Sequence, residues 1–201
     1  MKIFGHPMST CTRKVLTTLV ETNQAYELVV VDFAKNEHKG AAHLARQPFG
    51  QVPALADGDF ELYESRAMCR YLNDKVNGPL VPRDQRERAR MEQWISVETS
   101  NFTPPAMKFI YQHIFQRPQT AETLETARTQ LENTLGIMDK QLAATPYLAG
   151  GSFTLADICF MPYIEYVMAT PAKEHVTKFP HVAAWWSKVS ERPSWRKVAG
   201  R

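Results

Sequence analysis

The stretch Val52-Pro53-Ala54-Leu55-Ala56-Asp57-Gly58-Asp59-Phe60-Glu61-Leu62 reads as a β-hairpin, and Glu64-Ser65 just beyond it opens a helix. The Asp57-Gly58 pair supplies the positive φ angles that a tight turn needs. Met68, Tyr71, Leu72 and Val76 then lie along one side of the helix. Upstream, Lys2-Ile3-Phe4 is a short strand stopped by Gly5 and Pro7. Val15, Leu16, Leu19 and Val20 follow at helical spacing, so a helix begins near Thr10 to Thr12. Tyr26 to Val31 is apolar and rich in β-branched residues, the pattern of a buried strand. The polar run from Lys35 to Arg46 reads as a short or irregular helix. The order is βαβαββα, an α/β domain over residues 1–77.

Gly78-Pro79-Leu80-Val81-Pro82 is punctuation and marks a linker over residues 78–83. Residues 84–201 look all-helical. A long helix runs from about Asp84 towards Phe115, bent or interrupted by Pro104-Pro105. Leu124, Leu131, Leu135, Met138 and Leu142 form the apolar stripe of the next. Phe153-Thr154-Leu155-Ala156-Asp157 is a helix start in which Thr154 and Asp157 form a structural capping box. Pro180 opens the last main helix, which carries Val182, Ala183, Trp186 and Val189.

A chain of 201 residues with 44% hydrophobic and 22% charged residues has the balance of a globular protein rather than a disordered one. The net charge of +3 is spread among interleaved acids and bases, which argues against nucleic acid as a partner. The run Arg83 to Arg90 is read as the solvated face of a helix start. No apolar run is long enough to cross a bilayer, and the first residues lack a secretory signal's apolar stretch. Cys11, Cys69 and Cys159 form no CxxC pair, and the six His residues no ligand cluster. No metal is expected, and a reducing, cytoplasmic location is.

Ser9 lies in the turn between the first strand and the first helix, where free N–H groups and the helix dipole favour an anion. By itself a serine here is an ordinary N-cap. A thiolate beside it would gain a charged hydrogen bond of about 1.5–3 kcal/mol, enough to lower a thiol pKa by roughly one to two units. Val52, preceding a Pro53 that can adopt the cis form, can offer its N–H and C=O to an extended peptide. Glu64 can meet an ammonium, while Ser65 and its helix start hold a carboxylate. His38, Lys39 and Gln51 can hold a second carboxylate. A ligand with a zwitterionic head, a central thiol and a terminal carboxylate fits this set, and glutathione is such a ligand.

The run Phe4-Gly5-His6-Pro7-Met8-Ser9-Thr10-Cys11-Thr12-Arg13, with Asn36-Glu37-His38-Lys39, the Gln47-to-Pro53 block and Glu64-Ser65-Arg66-Ala67, resembles the phi-class glutathione transferases. The likeness continues through Phe153 to Asp157 and the Trp-rich end. It implies a thioredoxin-like N-terminal domain, an all-α C-terminal domain and a homodimer. It also implies that Ser9 stabilises the thiolate and that Val52, ahead of a cis Pro53, pairs with the cysteinyl backbone. Glu64 and Ser65 would hold the γ-glutamyl end, and His38, Lys39 and Gln51 the glycyl carboxylate.

Small hydrophobic electrophiles are expected between the domains, walled by Met8, Met107, Tyr111 and Phe115, with Phe33 a further lining residue. Thiolate attack on such an electrophile, or on a peroxide, needs neither metal nor membrane. The chain differs from the plant pattern in ending soon after Trp195, which would reduce any segment closing over the pocket. It also carries Met8 where a small residue is frequent, and Cys11 two residues from Ser9. Cys11 makes a glutathione-dependent thiol-disulfide oxidoreductase one alternative. An isomerase, lyase or peroxide reductase on the same scaffold, or a non-catalytic interaction module, are others.

Overall fold

A computed structural model describes all of residues 1–201 and divides them into two compact units, 1–81 with 193–201, and 82–192. The first unit runs β1 (Lys2–Gly5), α1 (Thr10–Glu21), β2 (Glu27–Val30), a 3₁₀ turn (Glu37–Lys39), α2 (Ala41–Leu44), β3 (Ala54–Asp57), β4 (Phe60–Tyr63) and α3 (Ser65–Lys75). The strands form one sheet in the order β2-β1-β3-β4, with β1 parallel to β2, and the β1–β3 and β3–β4 pairs antiparallel. Ile3 and Leu55 from the central strands and Val15, Leu19, Met68 and Leu72 from α1 and α3 are all fully buried. A βαβ unit followed by a hairpin and a helix is thus realised in the expected order.

Four details depart from the sequence reading. Asp57 pairs with Phe60, so the hairpin loop is Gly58-Asp59, and of the two only Gly58 takes a positive φ, +66°. The valine-rich β2 is an edge strand, and Val30 is 54% exposed. Val76 falls beyond the last turn of α3 and is exposed, while Cys69 takes the buried place on that face. The linker is anchored rather than free: Leu80 is buried, and its N–H donates to Asn73 Oδ1 at 2.9 Å.

The second unit comprises α4 (Gln85–Val97), a π-helical turn (Glu98–Phe102), α5 (Thr103–His113), α6 (Ala121–Ala144), α7 (Leu155–Met168), α8 (Lys173–Thr177) and α9 (Pro180–Ser190). Asp84 caps α4 by accepting from the N–H groups of Arg86 and Glu87, and residues 83–90 are exposed, as the charge pattern implied. The long helix is interrupted just before its prolines. The π turn precedes Pro104 and Pro105, which occupy the first turn of α5, where a missing N–H costs nothing.

The capping box is present: Thr154 Oγ1 accepts from Ala156 N–H, and the Asp157 carboxylate accepts from Thr154 N–H at 2.9 Å. Asp157 also accepts from Leu148 N–H and Trp185 Nε1–H. Burial pushes its carboxyl above the usual range, against those donors. Helix α10 (Pro193–Ala199) belongs to the first unit, although the sequence pattern groups it with the helical stretch 84–201. Its Trp195 is fully buried, and the Ser194 hydroxyl donates to Glu21 on α1.

Candidate glutathione site

Sheet register brings the separate sequence pieces together. Phe4 pairs with Ala54 and Ala54 with Tyr63, so one step further sets Pro53 beside Gly5 and Glu64 beside Pro53. Gly5 also pairs with Val30 on the parallel strand. The turn carrying Ser9, the Val52-Pro53 corner, the Glu64-Ser65 helix start and the segment leading to Phe33 therefore leave the same end of the sheet.

The Ser9 turn is tightly specified. Ser9 N–H donates to the His6 carbonyl at 2.9 Å, and Met8 N–H to His6 Nδ1 at 3.2 Å. Arg13, largely buried, donates from Nε to the Pro7 carbonyl at 2.8 Å. Gly5 is required here because an added Cβ would lie 2.7 Å from the Thr12 side chain. Ser9 Oγ accepts from Thr12 N–H at 3.2 Å and so does serve as the N-cap of α1. A hydroxyl has one proton as well as two lone pairs, so capping leaves the Ser9 O–H free to donate outward. The cap and the thiolate donor are compatible roles for one side chain.

Val52-Pro53 is a cis peptide. Neither the N–H nor the C=O of Val52 has a partner among the loop and turn hydrogen bonds. Glu64 holds φ at +72° at the N-cap of α3, a backbone state that costs a non-glycine residue about 1–3 kcal/mol. Ser65 is buried directly after it.

His38 and Lys39 lie against the Gly50-Gln51 corner, where a Cβ on Gly50 would be 2.9 Å from the His38 carbonyl and 2.7 Å from Lys39 Nζ. Lys39 Nζ donates to the Phe49 carbonyl at 3.1 Å. His38 Nδ1 is buried without a partner, and Phe33 stacks against both His38 and His6, at 4.9 and 5.4 Å between centroids. The Gln51 side chain is exposed at this corner.

Cys11 is half-buried in the first turn of α1. Burial pushes Cys69 up to about 11, which leaves it protonated at neutral pH. Met8 and Phe33 are both more than two-fifths exposed. In the second unit, α5 turns Pro105, Ala106, Phe109 and Ile110 into its core, while Met107, Tyr111 and Phe115 remain partly exposed. Phe115 meets Tyr111 at 6.3 Å and Tyr166 at 6.1 Å between ring centroids. The Met-aromatic stripe is therefore not fully buried. No three His, Cys, Asp or Glu side chains converge as metal ligands, and no helix is long and apolar enough to cross a membrane.

Four polar residues that hold this region were not singled out from sequence: His6, Arg13, His43 and Gln47. Arg13 carried one local signal, standing one helical turn after Ser9.

The architecture and this cluster define a thioredoxin-like domain followed by a helical one. Residues 1–74 match the glutathione S-transferase N-terminal domain family and residues 102–193 the glutathione S-transferase C-terminal domain family. The chain is 39% identical to glutathione S-transferase PARB of Nicotiana tabacum, over 98% of this chain and 96% of that one. It superposes on glutathione transferase F7 from Populus trichocarpa with a TM-score of 0.94 and 38% identity, covering 99% and 97% of the two chains. A structure of glutathione S-transferase I from mais, in complex with an atrazine glutathione conjugate, gives 0.91 and 36%, covering 99% and 96%.

The chain belongs to the glutathione S-transferase family. The curated relatives named here are phi-class transferases of plants, as the motif resemblance implied.

Proposed function

We propose that this transferase binds glutathione along the sheet end described above, ionises its thiol at Ser9 and transfers the sulfur to hydrophobic electrophiles. The observation that carries the reading is the shared sheet end, to which the strand register brings four pieces far apart in sequence. Four strands cover about 14 Å between their axes, and an extended tripeptide spans about 10 Å. The ligand is long enough to touch most of the set at once.

Glu64 meets the γ-glutamyl ammonium, and Ser65 with the free N–H groups of α3 holds its carboxylate. Val52 pairs with the cysteinyl backbone as a short added strand. His38, Lys39 and Gln51 take the glycyl carboxylate, and the orphaned His38 Nδ1 supports a polar ligand there. The thiol gives its proton to solvent, and the Ser9 O–H donates to the thiolate. Attack forms a carbon–sulfur bond while the leaving group departs with its electron pair.

Met8 and Phe33 beside the Ser9 turn, and separately the Met107-Tyr111-Phe115 stripe, are the apolar surfaces assigned to the electrophile. Detoxification-type conjugation in the cytoplasm is the role this chemistry suits. Exposed Phe49 and Tyr63, 6.2 Å apart between ring centroids, support a homodimer.

Calorimetric titration with glutathione, followed by turnover of an aryl halide, tests the reading. Saturable binding with conjugation is expected, and absence of binding overturns it.

A further inference from the structure

Two buried polar side chains serve none of the roles above. His43 on α2 is 5% exposed, and Gln47, three residues past that helix, is 2% exposed. His43 Nε2 and the Gln51 carbonyl are 2.6 Å apart, a bond the imidazole must donate. On the other side, Gln51 N–H donates to Gln47 Oε1 at 3.0 Å. Side chains thus occupy both backbone groups of Gln51, one residue before Val52.

The turn beneath is closed by Gly50 N–H donating to the Gln47 carbonyl at 2.9 Å, so Gln47 grips the corner by backbone and side chain together. Displacing Gln51 would orphan two buried polar groups at once, a heavily penalised outcome that makes this corner stiff. The next residue, Val52, has neither its N–H nor its C=O paired among the loop and turn hydrogen bonds, so a stiff Gln51 presets both.

We infer that His43 and Gln47 are positioning residues for glutathione, clamping Gln51 so that its side chain and the Val52 backbone are preset for the ligand. This rests on the glutathione reading above. Presetting removes an ordering cost from binding, so loss of the clamp weakens ligand capture without touching sulfur chemistry.

Hydrogen exchange on the full chain tests the clamp without any variant. The Gln51 amide is expected to be protected with or without glutathione, and the Val52 amide to become protected only with it. A freely exchanging Gln51 amide, or a Val52 amide protected without ligand, overturns the inference.

Kinetics give a second test. Gln47→Met removes the acceptor at nearly constant length and is expected to raise the KM for glutathione about fivefold or more, from the loss of one hydrogen bond. The kcat, the KM for the electrophile and the pKa of the bound thiol stay unchanged. A purely structural Gln47 would reduce the active fraction and leave KM alone. If the wild-type protein fails to bind glutathione, the underlying reading falls. If it binds and Gln47→Met keeps the wild-type KM, only the clamp falls.

Discussion

Replacing Gly50 by alanine places a methyl group where the structure has no room for one. At φ +62° an L side chain costs about 1–2 kcal/mol, and the new Cβ would meet Lys39 Nζ at 2.7 Å and Cδ at 2.8 Å. The backbone oxygen of His38, 2.9 Å away, cannot move aside as the lysine end can. At about 2–4 °C of Tm per kcal/mol for a chain this size, the backbone term alone lowers Tm by about 2–8 °C.

The functional consequence is sharper. At the glycyl site proposed above, displacing His38 and Lys39 should remove a charged hydrogen bond worth about 1.5–3 kcal/mol, hence about ten- to hundredfold in Kd. The assay is calorimetric titration with glutathione and, in parallel, with γ-glutamylcysteine, which lacks the glycine. The tripeptide should lose affinity and the dipeptide should not. Lys39→Met should reproduce part of that discrimination without the fall in Tm. Equal weakening of both ligands, or of neither, would refute the position given to the glycyl end.

Asp139 on α6 accepts from the N–H groups of His181 and Val182 at 2.7 and 3.1 Å, capping α9 from outside that helix. Asp139→Ala should cost about 0.5–2 kcal/mol in urea unfolding and leave glutathione affinity unchanged. Glu64→Gly relieves the strain at φ +72°, so Tm should rise while the KM for glutathione increases about tenfold if the proposed ammonium partner is lost. A Tm that falls would contradict the strain argument. The Lys75 ammonium, then the Tyr71 hydroxyl donating at 2.7 Å, hold the Asp57 carboxyl below its usual value of about 3.9. A lowered folded pKa stabilises above the unfolded value and loses that contribution as pH falls through the folded one. Asp57→Asn should therefore be less stable than wild type at neutral pH, with the gap closing below about pH 4 in denaturation curves.

The local grammar of caps, prolines and turns was legible from residues alone. Ser9 reads as a cap because capping depends on a side chain and the next three amides. Thr154 with Asp157 is legible for the same reason. What sequence did not carry is which strand lies at an edge and which polar side chain is buried. The valines of β2 look like a core strand, yet strand order puts them at the sheet margin. His43 lies in a run that reads as a short or irregular polar helix and Gln47 just past it, and only tertiary folding shows that both are buried on the Gln51 backbone. Trp195 reads as the end of a helical domain, although it fills the core of the first unit. The Gly58-Asp59 loop shifted by one residue because either register places a glycine in the turn.

Ser9 remains the centre of the account, and ultraviolet difference titration of the thiolate in the glutathione complex addresses it directly. In the wild-type protein the bound thiol should ionise below the ordinary thiol value of about 8.5, and Ser9→Ala should raise that midpoint by roughly one to two units. Cys11→Ser should leave it where it was. A midpoint unmoved by Ser9→Ala, or one that rises only when Cys11 is replaced, would contradict the assignment of the thiolate to Ser9.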